Sequence, residues 1–251
     1  MKPDSFIFTD IGGREENQDR AALAEKEDSG LYLIADGLGG HRNGRMAADC
    51  AAESILASWK NERPDTEEKE DEYQPAGTGR LTEWIREANE AILAMQKKEN
   101  CQAKSTLAVL LLEENRAAWA HTGDSRIYRL HDGQIASVTE DHSVAFKKYK
   151  AGEIRKEDIP TDEDQASLLR SLGTEKRWEP AVDGTDELEA GDAFLLCSDG
   201  FWEYILDEEI LVDSLKSETA KEWASLMLLR VTERIRPGND NLSLITVMVK
   251  E

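Results

Sequence analysis

The 251-residue sequence contains little cysteine and little histidine, and each shortage excludes a kind of site. Its three cysteines, Cys50, Cys101 and Cys197, are far apart and show no CxxC spacing. This excludes a disulfide framework and a thiolate zinc site, and it favours a reducing compartment. The four histidines show no HExxH spacing. A metal site must therefore be built mainly from carboxylates, which prefer hard cations such as Mg²⁺ or Mn²⁺.

Positive charge and long apolar runs are also scarce. Lys and Arg number 31 against 52 Asp and Glu, which gives a net charge of −21 and disfavours nucleic acids and anionic membranes as partners. No apolar run approaches about 20 residues, and the amino end lacks an apolar signal segment. We therefore expect a cytoplasmic protein with no nucleic-acid or membrane partner. The 39% hydrophobic content still suffices for a core.

The hydrophobic pattern predicts strands and helices in clusters rather than in strict alternation, which favours an α+β fold with antiparallel sheet. The best-supported helix begins at Leu81, because apolar residues recur there at helical spacing. Segment 143–170 is charged and weakly patterned, and we interpret it as a mobile flap. The predicted strands are 5–9, 20–24, 31–35, 105–112, 117–121, 126–130, 135–139, 194–197 and 242–249, and the predicted helices are 44–60, 81–98, 207–216 and 220–235.

Four Asp-Gly dipeptides begin at Asp36, Asp132, Asp183 and Asp199. Asp-Gly is typical of tight turns, and we assign Asp132, at a hairpin tip, and Asp183, in a polar stretch, to turns. Asp36 and Asp199 instead end apolar runs. A carboxylate at the end of a buried strand has a rigid support and is costly unless it is paired or metal-bound.

Three further acids, Asp19, Asp124 and Asp240, also lie next to predicted strands. If these strands are neighbours, five carboxylates converge. Like charges so close repel one another by several kcal/mol at low effective dielectric unless cations neutralise them. The pattern therefore predicts divalent metal, two ions or more, although any one of these acids alone is also compatible with an ordinary loop.

Six short motifs in fixed order carry a resemblance. They are Arg14-x-x-Asn-Gln-Asp19, Asp36-Gly-Leu-Gly-Gly-His41, Thr122-Gly-Asp-Ser-Arg126, Thr139-x-Asp-His-Ser143, Ser198-Asp-Gly200 and Asp240-Asn241. Together they resemble the metal-dependent serine/threonine protein phosphatase family, type 2C, in its bacterial form. The resemblance implies a single phosphatase domain over 1–251, in which two antiparallel sheets form a central sandwich flanked by pairs of antiparallel helices (α-β-β-α), with a flap at about 143–170.

The resemblance also implies roles for the acids. Asp36 bridges two metal ions, the Gly37 carbonyl oxygen binds one of them, and Asp199 and Asp240 bind the other. Asp19 acts through metal-bound water. Asp124 helps to hold a third ion.

The sequence departs from the family pattern at three positions. Glu203 stands where an aspartate usually completes the third site, and Gln18 stands where many members have Glu. Leu38 stands where eukaryotic members have the histidine proposed as proton donor to the leaving oxygen. We expect water to replace that donor, and we expect His41 to order the following helix.

Two hard cations lower the pKa of a bridging water, and the resulting hydroxide attacks phosphorus. Arg14, with its planar fork, is the predicted phosphate-binding residue and acts in catalysis with Asp36. If Arg14 is considered without the other motifs, a surface ion pair with Glu15 or Glu16 is the favoured interpretation. His142 is expected to order the loop that leads into the flap rather than to bind metal.

The leading hypothesis is hydrolysis of phosphoserine and phosphothreonine in proteins, with Mn²⁺ or Mg²⁺ as cofactor. Its partners would be a serine/threonine kinase and that kinase's substrates, and we expect a monomer. Two alternatives stay open. One is a catalytically weak member that acts as a regulatory binding module. The other is a two-metal phosphodiesterase, against which the absence of a basic groove counts.

Overall fold

The computed structural model describes residues 2–26, 29–38, 42–61, 77–175 and 179–251, and two antiparallel sheets form its centre. The strands of the first sheet are consecutive in space in the order β1, β11, β10, β7, β8. Their bounds are β1 Lys2–Asp10, β7 Arg126–His131, β8 Gln134–Val138, β10 Ala193–Cys197 and β11 Leu242–Lys250.

The second sheet follows the order β2, β3, β5, β6, β9, and a short β4 pairs with the end of β3. Strand β3 is buried on both faces. Leu31 and Leu33 contact the helix layer, whereas Tyr32 and Ile34 face the other sheet. The bounds are β2 Asp19–Lys26, β3 Ser29–Leu38, β4 Lys104–Ser105, β5 Leu107–Glu113, β6 Arg116–Thr122 and β9 Ala181–Thr185.

Helices cover the outer face of each sheet. The helices α1 (Arg42–Asn61) and α2 (Thr78–Glu99) pack on the second sheet, and α5 (Asp207–Leu215) and α6 (Ala220–Arg234) pack on the first. A third apolar layer fills the space between the sheets. The predicted α+β sandwich is therefore confirmed. None of the helices in these ranges is long and apolar enough to cross a membrane.

The flap segment holds more structure than its sequence pattern predicts. It contains α3 (Val144–Lys150), capped by Ser143, and a 3-10 turn at Lys156–Thr161. Ala145 and Ile159 are buried in the core cluster that α5 and α6 also share. These two residues pack the flap segment against the first sheet.

One local prediction differs from the structure, and one short helix was not predicted. Asp183 lies inside β9, opposite Trp119 of β6, and not in a turn. A short helix, α4 (Asp199–Trp202), begins directly at Asp199. Asp132 does occupy the turn between β7 and β8, with φ of 50°. The prediction for His41 falls outside the described residues.

Candidate metal centre

The five acids singled out by sequence lie together at one end of the sandwich. Each belongs to the end of a strand or to a loop beside one, and their mutual charge interactions link them into one group. No three of the five bring carboxylate oxygens within 4.8 Å of one another, so the group spans more space than a single ion fills. The five are Asp19, Asp36, Asp124, Asp199 and Asp240.

The backbone of Asp36 is held on both sides. Its N–H donates to Thr106 Oγ1 at 2.9 Å, and its carbonyl oxygen accepts from Thr106 N at 2.8 Å and from Ser105 Oγ at 3.0 Å. Burial, followed by the charge of Asp19, raises the pKa of Asp36 well above its usual value. The Ser-Thr pair therefore fixes the position of a carboxylate whose ionised form is unfavourable without a cation.

Gly37 continues this strand at a point where helix α1 approaches very closely. A Cβ atom on Gly37 would lie 2.1 Å from the carbonyl oxygen of Gly44, and one on Gly44 would lie 2.5 Å from the carbonyl oxygen of Gly37. Only glycine fits at either position. The carbonyl of Gly37 is thus held at the start of α1, beside Asp36.

Asp19 is the register partner of Asp36 across β2 and β3. Its Oδ2 atom accepts a hydrogen bond from Ser198 Oγ at 2.8 Å, whereas its buried Oδ1 atom has no hydrogen-bond partner among the described residues. Burial is the main cause that raises the pKa of Asp19 to about 6. A buried carboxylate oxygen without a donor is costly, and it is a good ligand for a cation or for water that a cation holds.

Asp240 lies at the mouth of the group and contacts Arg14. The Nη2 atom of Arg14 is 2.7 Å from Asp240 Oδ2, so the ion pair with Glu15 or Glu16 is not the one that the structure contains. Asn241 holds the loop that carries Arg14, because its side chain donates to the carbonyl oxygens of Ile11 and Glu16. The motif Asp240-Asn241 therefore supplies one acid and one structural clamp.

Asp124 is buried beside Arg126 and Asp141, whose pairing the sequence motifs do not predict. Arg126 and Asp141 form a buried bidentate pair, with Nε to Oδ1 at 2.8 Å and Nη2 to Oδ2 at 2.7 Å. The guanidinium carbon lies 3.5 Å from the ring centroid of Trp202, whose Nε1 donates to the carbonyl oxygen of Asp124 at 2.9 Å. Burial and then the charge of Asp199 raise the pKa of Asp124 well above its usual value.

Glu203 extends the acidic group outwards from Asp124 and Asp199. Burial and then the charge of Asp199 raise the pKa of Glu203 to about 8. Burial and then the charge of Asp240 raise the pKa of Asp199 to about 7. Glu203 also lines a cavity of about 650 Å³ between the flap and the segment that follows α4. The acidic centre therefore opens into a groove.

His142 connects the Asp124 loop to the flap. Its ring Nδ1 accepts from Gly123 N at 3.2 Å, its own N–H donates to the Gly123 carbonyl at 2.8 Å, and its carbonyl accepts from Leu169 N at 2.7 Å. Burial and the stacked His121 ring, 4.5 Å away between centroids, lower the pKa of His142 to about 3. The neutral imidazole thus has a structural role in this loop.

The donor set fits hard divalent cations. Every candidate ligand is an oxygen atom, from the five carboxylates and from the Gly37 carbonyl, and oxygen ligands are those that Mg²⁺ and Mn²⁺ prefer. The raised carboxyl pKa values and the orphaned Asp19 Oδ1 atom describe a group that gains stability when cations enter it.

Comparison with known proteins identifies the family. The family model described as Protein phosphatase 2C matches residues 11–242. The chain belongs to the protein phosphatase 2C family. The relatives are bacterial serine/threonine phosphatases, which confirms two predictions: the bacterial form of the family and the phosphoprotein phosphatase activity. The chain is 30% identical over 240 residues to "Serine/threonine phosphatase stp" of Listeria monocytogenes, a match that covers 93% of this chain and 90% of that protein.

Solved structures of the phosphatase 2C family show the same architecture. Serine/threonine phosphatase Stp1 from Staphylococcus aureus superimposes with a TM-score of 0.85 at 25% identity, over 100% of this chain and 96% of that one. The catalytic domain of the phosphatase PstP, solved in complex with 2 manganese ions, gives a TM-score of 0.82 at 26% identity and covers 99% of both chains. This family member thus shares its overall architecture with a relative solved in complex with manganese.

Proposed function

We propose that this phosphatase 2C-family member hydrolyses phosphoserine and phosphothreonine in proteins and depends on Mn²⁺ or Mg²⁺. The observation that carries the proposal is the convergence of five carboxylates, four of which raise the pKa of the buried Asp36 further, together with the orphaned Asp19 oxygen. The same wording in the names of the Listeria and Staphylococcus relatives supports the substrate class.

The site residues divide between two core ions and an outer one. Asp36 would bridge the core pair, with the Gly37 carbonyl on one ion and Asp199 and Asp240 on the other. Asp19 would act through water. Asp124 would hold the outer ion together with Glu203, which has a longer side chain than the aspartate usual in the family. When bound, such cations supply hydroxide near neutral pH and stabilise charge on phosphoryl oxygens.

The residues of the chain supply position and charge around this chemistry. Ser105 and Thr106 hold the Asp36 backbone, so its carboxylate keeps one place during turnover. Arg14 can leave Asp240 and bind the phosphate with two parallel N–H groups. The Arg126–Asp141 pair supports the Asp124 loop through Trp202, which stacks on Arg126 and donates a hydrogen bond to the carbonyl oxygen of Asp124.

The groove beside Glu203 would receive the residues that flank the phosphorylated one. The flap provides Lys156 and Ile159, and the opposite wall provides Tyr204 and Leu206. Arg236, in the loop that leads to Asp240, also lines this groove and offers positive charge to an acidic flanking residue. Its apolar walls suit an extended peptide segment better than a compact small molecule.

The biological setting follows from the same proposal. The partners would be proteins phosphorylated by a serine/threonine kinase, with that kinase itself among them, and the chain would act as a cytoplasmic monomer. Residues 1–251 would form a single phosphatase domain with residues 143–170 as its flap. The alternative is a weakly catalytic member that binds phosphoproteins as a regulatory module. The presence of all five acids argues against it, because a complete set of metal ligands favours catalysis.

A phosphatase assay on a phosphothreonine peptide tests the proposal. Turnover is expected with Mn²⁺ or with Mg²⁺, and none is expected in the presence of a chelator that removes both. A protein that binds the phosphopeptide but does not hydrolyse it with either metal would support the regulatory module instead.

A further inference from the structure

A second group of side chains that could hold a metal ion lies at the opposite end of the sandwich. Strand β7 begins at Arg126, next to the acidic centre, and ends at His131. His131, Asp132 and Glu189 place one ligand atom each within 4.8 Å of one another. Within the described ranges, no other set of three His, Cys, Asp or Glu side chains meets that distance. The sequence motifs did not include these residues.

The imidazole of His131 has a fixed orientation. Asp192, whose side chain is 2% exposed, accepts a hydrogen bond from His131 Nδ1 at 2.6 Å. With the proton on Nδ1, the lone pair of the neutral ring is on Nε2 and points away from Asp192. A carboxylate that accepts from the remote ring nitrogen is the usual outer partner of a metal-binding histidine, because it fixes the tautomer and raises the basicity of the ligand.

Asp192 also holds a second ligand in place. Its Oδ2 atom accepts from the backbone N–H of Glu189 at 3.3 Å, and its own N–H donates to the Glu189 carbonyl at 3.1 Å. Arg129 Nη2 lies 3.5 Å from Asp192 Oδ2. One buried side chain therefore fixes the ring of His131 and the backbone of Glu189 together.

The third ligand sits on the hairpin turn. Asp132 has φ of 50°, a left-handed conformation that the β7–β8 turn imposes, and its Oδ2 atom lies 3.7 Å from His131 Nε2. In the neutral ring, the Nε2 lone pair and Asp132 Oδ2 are both electron-rich, so their approach is unfavourable unless a proton or a cation lies between them.

We propose that His131, Asp132 and Glu189 bind Zn²⁺, with Asp192 as the residue that positions the imidazole. One imidazole nitrogen with two carboxylates suits Zn²⁺, whereas the oxygen-only centre at the other end suits Mg²⁺ or Mn²⁺. Bound zinc would tie the β7–β8 hairpin to the connection before β10. Asp132 is 85% exposed, so the ion enters directly from solvent.

Imidazole NMR tests this site without any measurement of catalysis. The protein has four histidines, so each ring gives a separable signal in a long-range ¹H–¹⁵N spectrum. The ¹⁵N-labelled protein is first saturated with Mg²⁺, which occupies oxygen sites, and is then titrated with Zn²⁺ at about pH 8. Zn²⁺ is expected to shift the ring signals of His131. The His131→Gln variant, which lacks this ring, identifies those signals by their absence.

Affinity measurements on three variants complete the test. Asp132→Asn and Glu189→Gln are each expected to weaken zinc binding at His131 by about tenfold or more, and Asp192→Asn by about 10- to 100-fold. Glu187→Gln, an exposed acid in the same connection, is the matched control and should bind zinc like the wild type. Unchanged His131 signals during the titration would overturn the proposal, as would wild-type affinity in both Asp132→Asn and Glu189→Gln.

Discussion

Arg14 and Asp240 form an ion pair across the mouth of the acidic centre, with Nη2 and Oδ2 2.7 Å apart. The two side chains are 53% and 38% exposed, and a pair so accessible to water contributes only about 0–1 kcal/mol to stability. A divalent cation on Asp240 can therefore displace the guanidinium at little cost. Arg14 then becomes available for a phosphate at the same entrance.

Replacement of Arg14 tests this exchange. Arg14→Ala is expected to raise KM for a phosphothreonine peptide by about tenfold or more, because a hydrogen bond to a charged group contributes about 1.5–3 kcal/mol. Arg14→Lys should recover only part of the loss, since an ammonium lacks the planar fork. Arg116→Ala removes an exposed arginine paired with Asp186 at the far end of β6 and serves as the control. A wild-type KM in Arg14→Lys would contradict bidentate phosphate binding.

The core carboxylates are expected to be indispensable. Asp36→Asn and Asp199→Asn should each lower turnover to less than about a tenth of wild type and weaken Mn²⁺ binding, because both remove an anionic ligand. Asp183→Asn changes an acid on β9 outside the centre and should leave both quantities unaltered. Steady-state kinetics together with calorimetric titration of Mn²⁺ measure the effects. Activity retained at wild-type level in either core variant would show that the metal assignment is wrong.

The raised carboxyl pKa values give the metal-free protein an unusual dependence on pH. Asp19 titrates at about 6 and Asp199 at about 7, whereas an unfolded Asp titrates near its ordinary value of about 4. Between these values the folded state binds more protons, so the contribution of these groups to the free energy of unfolding falls as pH rises. Asp199→Asn, which lacks this ionisation, should therefore gain stability relative to wild type between about pH 4 and 8 in chelator.

Urea unfolding of both proteins across this pH range measures the difference, and Mg²⁺ should reduce it by stabilising the wild type alone. A constant difference at every pH would contradict the raised pKa of Asp199.

The buried Arg126–Asp141 pair predicts a stability effect. Asp141→Ala should cost about 3–5 kcal/mol, because it leaves the Arg126 guanidinium uncompensated in the interior. The double replacement Arg126→Met with Asp141→Leu should recover a large part of that loss, since it removes both charges. Denaturant unfolding measures both variants. Equal destabilisation in the single and double variants would indicate that packing, and not charge, dominates at this place.

Arg236 tests the groove beside Glu203. Arg236→Glu is expected to raise KM for a phosphopeptide with acidic flanking residues by several-fold, about the effect of one reversed surface charge contact. Hydrolysis of p-nitrophenyl phosphate, which has no flanking residues, should change little. Glu233→Lys, a charge reversal on the exposed end of α6 outside the groove, is the control. An equal loss on both substrates would place Arg236 in a different role.

The fold was largely predictable because its strands carry strong apolar patterns. Strand β9 was missed because Asp183-Gly184 has the composition of a turn. Its extended conformation is set by pairing across the sheet, where Asp183 lies opposite Trp119 and Val182 lies opposite Ala120. Local composition cannot reveal that partner. Helix α4 was missed for a similar reason, since four residues are too few to show a period.

The acids of the site were found because each stands next to an apolar run. Their supports were not found. Ser198 holds Asp19 across 179 positions, and Arg126 pairs with Asp141 beneath the Asp124 loop. Both contacts depend on how distant strands meet, and the motifs that contain these residues give no sign of the pairing. The order of the motifs indicates which residues matter, and the tertiary structure explains why.

The position of β11 has a consequence for how the protein is made. This strand lies between β1 and β10, and Asn241 just before it accepts from Gln18 across 223 positions. A ribosome adds roughly 5–20 residues per second, so β1 waits on the order of ten to fifty seconds for β11, the strand with which it pairs. Asp240 lies two residues before β11 and is therefore made at nearly the same time. The growing polypeptide thus acquires its complete set of five acids only after most strands of both sheets have been synthesised.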